Sequence, residues 1–141
     1  MEQHQAYVYV TLVTGTNAAA RECVIAAAIQ PAATDEAGFV PNGTVALILE
    51  GFPSGLSQQA AALDPQHNPA LMQTARIAPG CLCCVGNLTL KVTLNRILRQ
   101  RPQRLYISLA TATHIVQLRA FLSQPPYDRL LKLTDDLIVD C

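Results

Sequence analysis

Apolar and polar positions alternate along this chain in blocks that change period several times. Ala6 to Thr14 is rich in Val, Tyr and Thr and runs into Gly15, which predicts a strand entering a turn. Ala18 to Gln30 is dominated by Ala and stops at Pro31, the signature of a helix with a proline stop. Thr44 to Leu49 is an unbroken apolar run, as in a strand covered on both faces, and Gly51 to Gly55 is a turn. Leu56 to Leu63 reads as a short helix and Asp64 to Pro69 as a loop. Leu71 to Ala78 reads as a strand in a hairpin-like segment, ending at Pro79-Gly80. Leu88 to Gln100 reads as a helix ended by Pro102, and Arg104 to Leu109 as a second buried strand. A helix follows over His114 to Leu122, closed by Pro125-Pro126, and a last strand over Asp136 to Val139.

Such alternation predicts an α/β fold: an open, mostly parallel sheet with helices on both faces. Ligands bind such sheets beyond the carboxyl ends of the strands, where Gly15, Glu50 and Ala110 are expected.

The 141 residues suit a single domain, and a chain of that size buries roughly 68% of its extended surface. Half of the residues are hydrophobic and 14% are charged, which argues against disorder. The formal net charge is zero, so no long-range field favours nucleic acid or an anionic membrane, and neither is expected as a partner. No segment approaches the roughly 18 continuous apolar residues of a membrane span. The first residues read as a strand and not as a signal peptide, so the cytoplasm is the expected location.

In a reducing compartment the five cysteines do not form a disulfide framework. Three of them, Cys81, Cys83 and Cys84, fall within four residues between Gly80 and Gly86. Glycines on either side allow a tight bend, and three thiolates make a soft site suited to Zn²⁺ or Cu⁺. Buried small hydrophobes and a redox pair are the other readings of the same cluster. Glu50 either adds an oxygen ligand or is an exposed turn carboxylate. His114 either faces the same rim as a ligand or caps and packs its helix. His67 either folds over the cluster or is an exposed loop residue.

The cysteine motif, Gly80-Cys81-Leu82-Cys83-Cys84, resembles the Gly-Cys-x-Cys-Cys motif of the CobW-type P-loop GTPases, which include cobalamin-synthesis proteins and zinc metallochaperones. The surroundings are similar too. Ile48-Leu49-Glu50-Gly51-Phe52 stands where the family has a strand ending in Asn-Glu-Phe-Gly. Arg99-Gln100-Arg101-Pro102 resembles its Arg-Arg-Pro-Asp helix end, and Ile107-Ser108-Leu109-Ala110-Thr111 its Glu-Thr-Ser-Gly strand end. Leu137-Ile138-Val139-Asp140 resembles its Val-Val-Asp-Ala strand. The resemblance implies a P-loop NTPase-like fold over the whole chain, with zinc or another soft metal as cofactor.

The phosphate loop departs from the family. A working loop reads G-x-x-x-x-G-K-[ST]; its amides cradle phosphates, its lysine reaches them and its hydroxyl holds Mg²⁺. Here Gly15 opens the stretch, Ala20 replaces the second glycine, Arg21 the lysine and Glu22 the hydroxyl. A Glu22 carboxylate facing a polyphosphate would cost roughly 4 kcal/mol per charge pair at about 4 Å, near a thousandfold in affinity. These four positions are therefore expected to form a vestigial anion site, with GTP and Mg²⁺ disfavoured. Amides of Ala18 to Arg21 at the helix start keep the option of holding a simple anion.

The sequence thus points to a metal-binding domain, handling its ion or contacting a partner through it, without efficient GTP turnover. A minimal GTPase completed by a protein partner and a non-metal interaction scaffold, with a homodimer as one form of it, are the alternatives. Lys91, Arg96, Arg99, Arg101 and Arg104 read as a solvated basic stripe near a helix C-terminus, and Cys23 as a core residue.

Overall fold

The computed structural model describes residues 7–29, 44–51, 63–66, 71–77, 88–110 and 115–139. Its elements run β1 (Val8–Thr14), α1 (Ala18–Ile29), β2 (Val45–Glu50), β3 (Leu71–Ile77), α2 (Leu88–Arg99), β4 (Arg104–Leu109), α3 (Ile115–Leu122), a 3-10 turn (Tyr127–Arg129), β5 (Leu131–Leu133) and β6 (Leu137–Ile138). Most lie within a residue or two of the sequence expectation. The helix read over Leu56 to Leu63 lies outside the described residues except for Leu63, which sits in a turn.

The strands form one open sheet in the order β3-β2-β4-β1-β5, with β6 also on β1. Every pairing is parallel. This corrects the hairpin-like reading of Leu71 to Ala78. β3 pairs with β2 in parallel and stands at the edge of the sheet. β5 was not expected. Three residues after a proline pair are too short to show a period, and the strand exists because its backbone completes the edge of β1 at Val8 to Val10.

Strand side chains alternate between two separate cores, as the pleat requires. Val8, Val10 and Leu12 of β1, Ala46 and Ile48 of β2, and Leu105, Ile107 and Leu109 of β4 face one way. They pack on Leu90, Leu94 and Ile97 of α2 and Leu118 and Leu122 of α3. Val13, Val45, Leu47, Leu49 and Tyr106 face the other way, onto Ile25, Ala26 and Ile29 of α1. A parallel sheet is stable only when both faces are covered, and this division supplies the covers.

The helices begin and end for local reasons. Asn17 caps α1, its Oδ1 accepting from the Ala20 N–H at 3.1 Å. α2 closes with the Arg101 N–H on the Leu98 carbonyl at 3.1 Å, Arg101 in the left-handed region at φ 53°, and Pro102 next. In α1 the inward positions are 21, 22, 25, 26 and 29, one helical face. Cys23 is off that face and exposed, which corrects its assignment to the core.

Among the described residues, one buried polar atom is left without a partner: the Thr14 hydroxyl at the carboxyl end of β1. Thr14→Val keeps the shape and removes an unpaired group whose burial costs about 1–3 kcal/mol. Chemical denaturation should show the variant at least as stable as the parent; a loss above about 1 kcal/mol would mean the hydroxyl has a partner.

Candidate functional site

The carboxyl ends of β1, β2 and β4 meet α1 in one tightly bonded corner. Gly15 follows β1, and a Cβ there would lie 2.8 Å from the Val139 carbonyl oxygen and 3.2 Å from the Val139 Cβ. Only glycine fits that approach. The Val139 N–H donates to the Thr14 carbonyl at 2.8 Å and the Gly15 N–H to the Leu109 carbonyl at 3.3 Å, so backbone closes round the turn. The helix then starts at once: three residues, Gly15 to Asn17, separate β1 from α1.

Arg21 points from the first turn of α1 into this corner and is 1% exposed. Its Nε donates to the Ser108 Oγ at 2.7 Å and its Nη2 to the Glu50 carbonyl at 2.8 Å. Its Nη1 donates to the Gly15 carbonyl. One guanidinium thus joins β1, β2 and β4. Burial pushes its pKa below the usual arginine value, while the Glu50 and Glu22 carboxylates push it back up. Arginine titrates so high that it keeps its charge here.

Glu22, the next residue, turns the other way. It forms a two-pronged pair with Arg76 of β3, Oε2 to Nη1 at 2.9 Å and Oε1 to Nη2 at 3.0 Å. Glu22 is almost fully buried and the Arg76 side chain is 25% exposed. The expectation of a Glu22 carboxylate facing a polyphosphate is therefore corrected: its charge is spent on β3. Glu50 is also not an exposed turn carboxylate. It is 2% exposed, and its Oε1 accepts from the Ala110 N–H at 2.7 Å. Gly51 next to it takes φ 83° and donates to the Ile77 carbonyl at 2.8 Å.

Of the expected site residues, the structure brings Gly15, Arg21, Glu22 and Glu50 to one rim, with Ala20 in the helix turn behind them. At the helix start, the Ala20 and Arg21 N–H groups are taken by the Asn17 side chain and carbonyl. Cys81, Cys83, Cys84, His67 and His114 lie outside the described residues. Among the described residues no three His, Cys, Asp or Glu side chains gather as a metal site. No described helix is long and apolar enough to cross a membrane. The sequence reading missed Arg76 and the bonding role of Ser108. A lone arginine in an otherwise uncharged strand was the available signal for the first.

Removing the Arg21 charge leaves three acceptors without their donor. Arg21→Met should cost at least about 3 kcal/mol, since bonds to charged groups are worth about 1.5–3 kcal/mol each and are not additive. Arg21→Lys should recover only part, because an ammonium cannot span three acceptors in one plane. Glu22→Gln should cost about 1–3 kcal/mol, less than a fully buried pair because water reaches Arg76. Urea titration of the three variants checks the ranking.

No protein-family model matches the chain, and no solved structure does. Over 64 residues it is 38% identical to the Zinc chaperone YeiR of Escherichia coli K12. The match covers 45% of this chain and 20% of that relative, so the chain spans far less than the relative's length. With the parallel sheet and the glycine turn after β1, the chain is a distant relative, over part of its length, of a CobW-like zinc chaperone.

Proposed function

We propose that this chain handles zinc, or an ion of similar softness, through Cys81, Cys83 and Cys84, on a P-loop-like fold whose phosphate cradle is filled by its own arginine. The observation that carries the second half is the Arg21 guanidinium, bonded at once to Gly15, Glu50 and Ser108. In a working loop this position holds a lysine that reaches phosphate. Here the cation is turned inward and satisfied, and the helix begins where loop amides would wrap the anion. These residues do not fit GTP with Mg²⁺, and no hydrolytic step is derived through them.

The first half rests on donor chemistry and on the partial relation to a zinc chaperone. Three thiolates on a glycine-flanked segment fit a soft cation, which as cargo would be gripped and passed on by the same sulfurs. The segment carrying them follows β3, whose last residue, Ile77, is the register partner of Glu50. The carboxylate of Glu50 is engaged at this rim, its Oε1 accepting from the Ala110 N–H at 2.7 Å, so the proposed grip on the ion rests on the three sulfurs. Because thiolates must be deprotonated, metal affinity should fall as the solution is acidified.

Protein purified without chelator should carry close to one zinc per chain by elemental analysis, and the Cys81→Ser, Cys83→Ser, Cys84→Ser triple variant should carry none. Calorimetric titration with GTP and Mg²⁺ should give no heat of binding at micromolar concentrations, with or without zinc. Absence of zinc from the parent protein would end the metal reading. Micromolar GTP binding would restore the GTPase reading in its place.

A further inference from the structure

The far end of the sheet holds a second feature, away from the Arg21 corner. α1 covers the carboxyl halves of the strands on its face, and Tyr106 is the last β4 residue beneath it. Below that point no described residue of α1 covers the face. Tyr9 of β1, a strand with partners on both sides, is 48% exposed, although strands in parallel sheets are ordinarily buried on both faces. A depression of about 320 Å³ lies there, lined by Tyr9, Thr11, Arg104, Tyr106 and Thr134. That is at the lower end of the range for small-ligand pockets, about 300–1,000 Å³.

The strand register explains the lining. Tyr9 pairs with Arg104 and Thr11 with Tyr106, and residues two apart share a face. Two tyrosine rings, a guanidinium and a threonine thus form a square on one patch of sheet, with neighbours about 5 Å apart across the strands. Thr134 closes one side, its hydroxyl 2.6 Å from that of Thr11.

The chemistry of the patch is incomplete in a particular way. The Arg104 side chain has no hydrogen bond or ion pair among the described residues. Of the two aspartates that follow Thr134, Asp136 is held by Arg119 at 2.6 Å. Tyr106 is 6% exposed, and its hydroxyl likewise has no partner among the described residues. Lys132, the register partner of Tyr9, adds a second cation and lies 5.7 Å from the centre of the Tyr7 ring. Flat aromatic walls and one guanidinium without a partner among the described residues suit a small planar anion. The rings stack on its body while Arg104 takes its charged group in a forked bond.

We infer that this depression is a binding site for a small aromatic carboxylate, separate from the Arg21 corner and independent of the metal reading.

The full chain, labelled with ¹⁵N, is titrated with benzoate and, in parallel, with neutral benzamide. Benzoate should shift the amide signals of Tyr9, Thr11, Arg104 and Tyr106 saturably, and benzamide should bind at least about tenfold more weakly, the worth of one charge-assisted bond. Arg104→Gln, a change at an exposed side chain, should raise the benzoate Kd about tenfold or more and bring it to the benzamide value. Lys132→Gln should raise it less. The amide spectrum of each variant away from the patch confirms that it is folded. Absence of saturable shifts at these residues, or an equal benzoate Kd in Arg104→Gln, would overturn the assignment.

Discussion

A buried guanidinium has to find acceptors for its donors or the chain does not fold around it. Arg21 finds them on three strands at once, and the corner is built to present them. The Gly15 turn brings one carbonyl within reach, the last residue of β2 supplies a second, and Ser108 of β4 supplies an hydroxyl. Beside it, Glu22 fixes the fourth neighbour, β3, through Arg76. Two adjacent residues in the first turn of α1 therefore lock one helix to four strands. In a nucleotide-binding relative of this architecture that end of the sheet is shaped around phosphates. Here protein groups bond to one another at that end, and the proposed loss of nucleotide chemistry rests on that arrangement.

The remaining rim groups reinforce the lock. Glu50 bonds the first residue after β4, and Gly51 bonds the last of β3. The chain that bears the three cysteines thus sets out from a strand end held by main-chain bonds and, one residue earlier, by the Glu22–Arg76 pair. The proposed metal site, which would grip an ion and later release it, would benefit from a rigid base. The two largely apolar cores on either side of the sheet supply that rigidity.

Much of this was legible in the residues. The buried strands showed as apolar runs, the helices as runs ended by prolines, and the parallel class as their alternation. Gly15, Arg21 and Glu22 were singled out by comparison with a phosphate loop and Glu50 as a strand-end carboxylate, and all four lie at the carboxyl ends of the strands. Their bonding was not legible, because it depends on which strand lies beside which. The partners of Arg21 are 6, 29 and 87 residues away in sequence, and that of Glu22 is 54 away. Glu50 looked like a turn residue because it sits next to a glycine, yet the sheet order puts the start of the β4 loop against it. Cys23 looked apolar, but the helix phase set by Arg21, Ile25 and Ile29 turns it outward. β5 carried no periodic signal at three residues and exists only through its pairing with β1.

The central claim is that the Arg21 guanidinium permanently occupies the cradle after β1. The most direct measurement is hydrogen exchange of the Arg21 Nε–H by NMR, with and without millimolar GTP and Mg²⁺. A bonded, buried group gives a resolved, slowly exchanging signal that neither shifts nor speeds up when nucleotide is added. A signal that exchanges with water as fast as a surface arginine, or moves on adding GTP, would contradict the account.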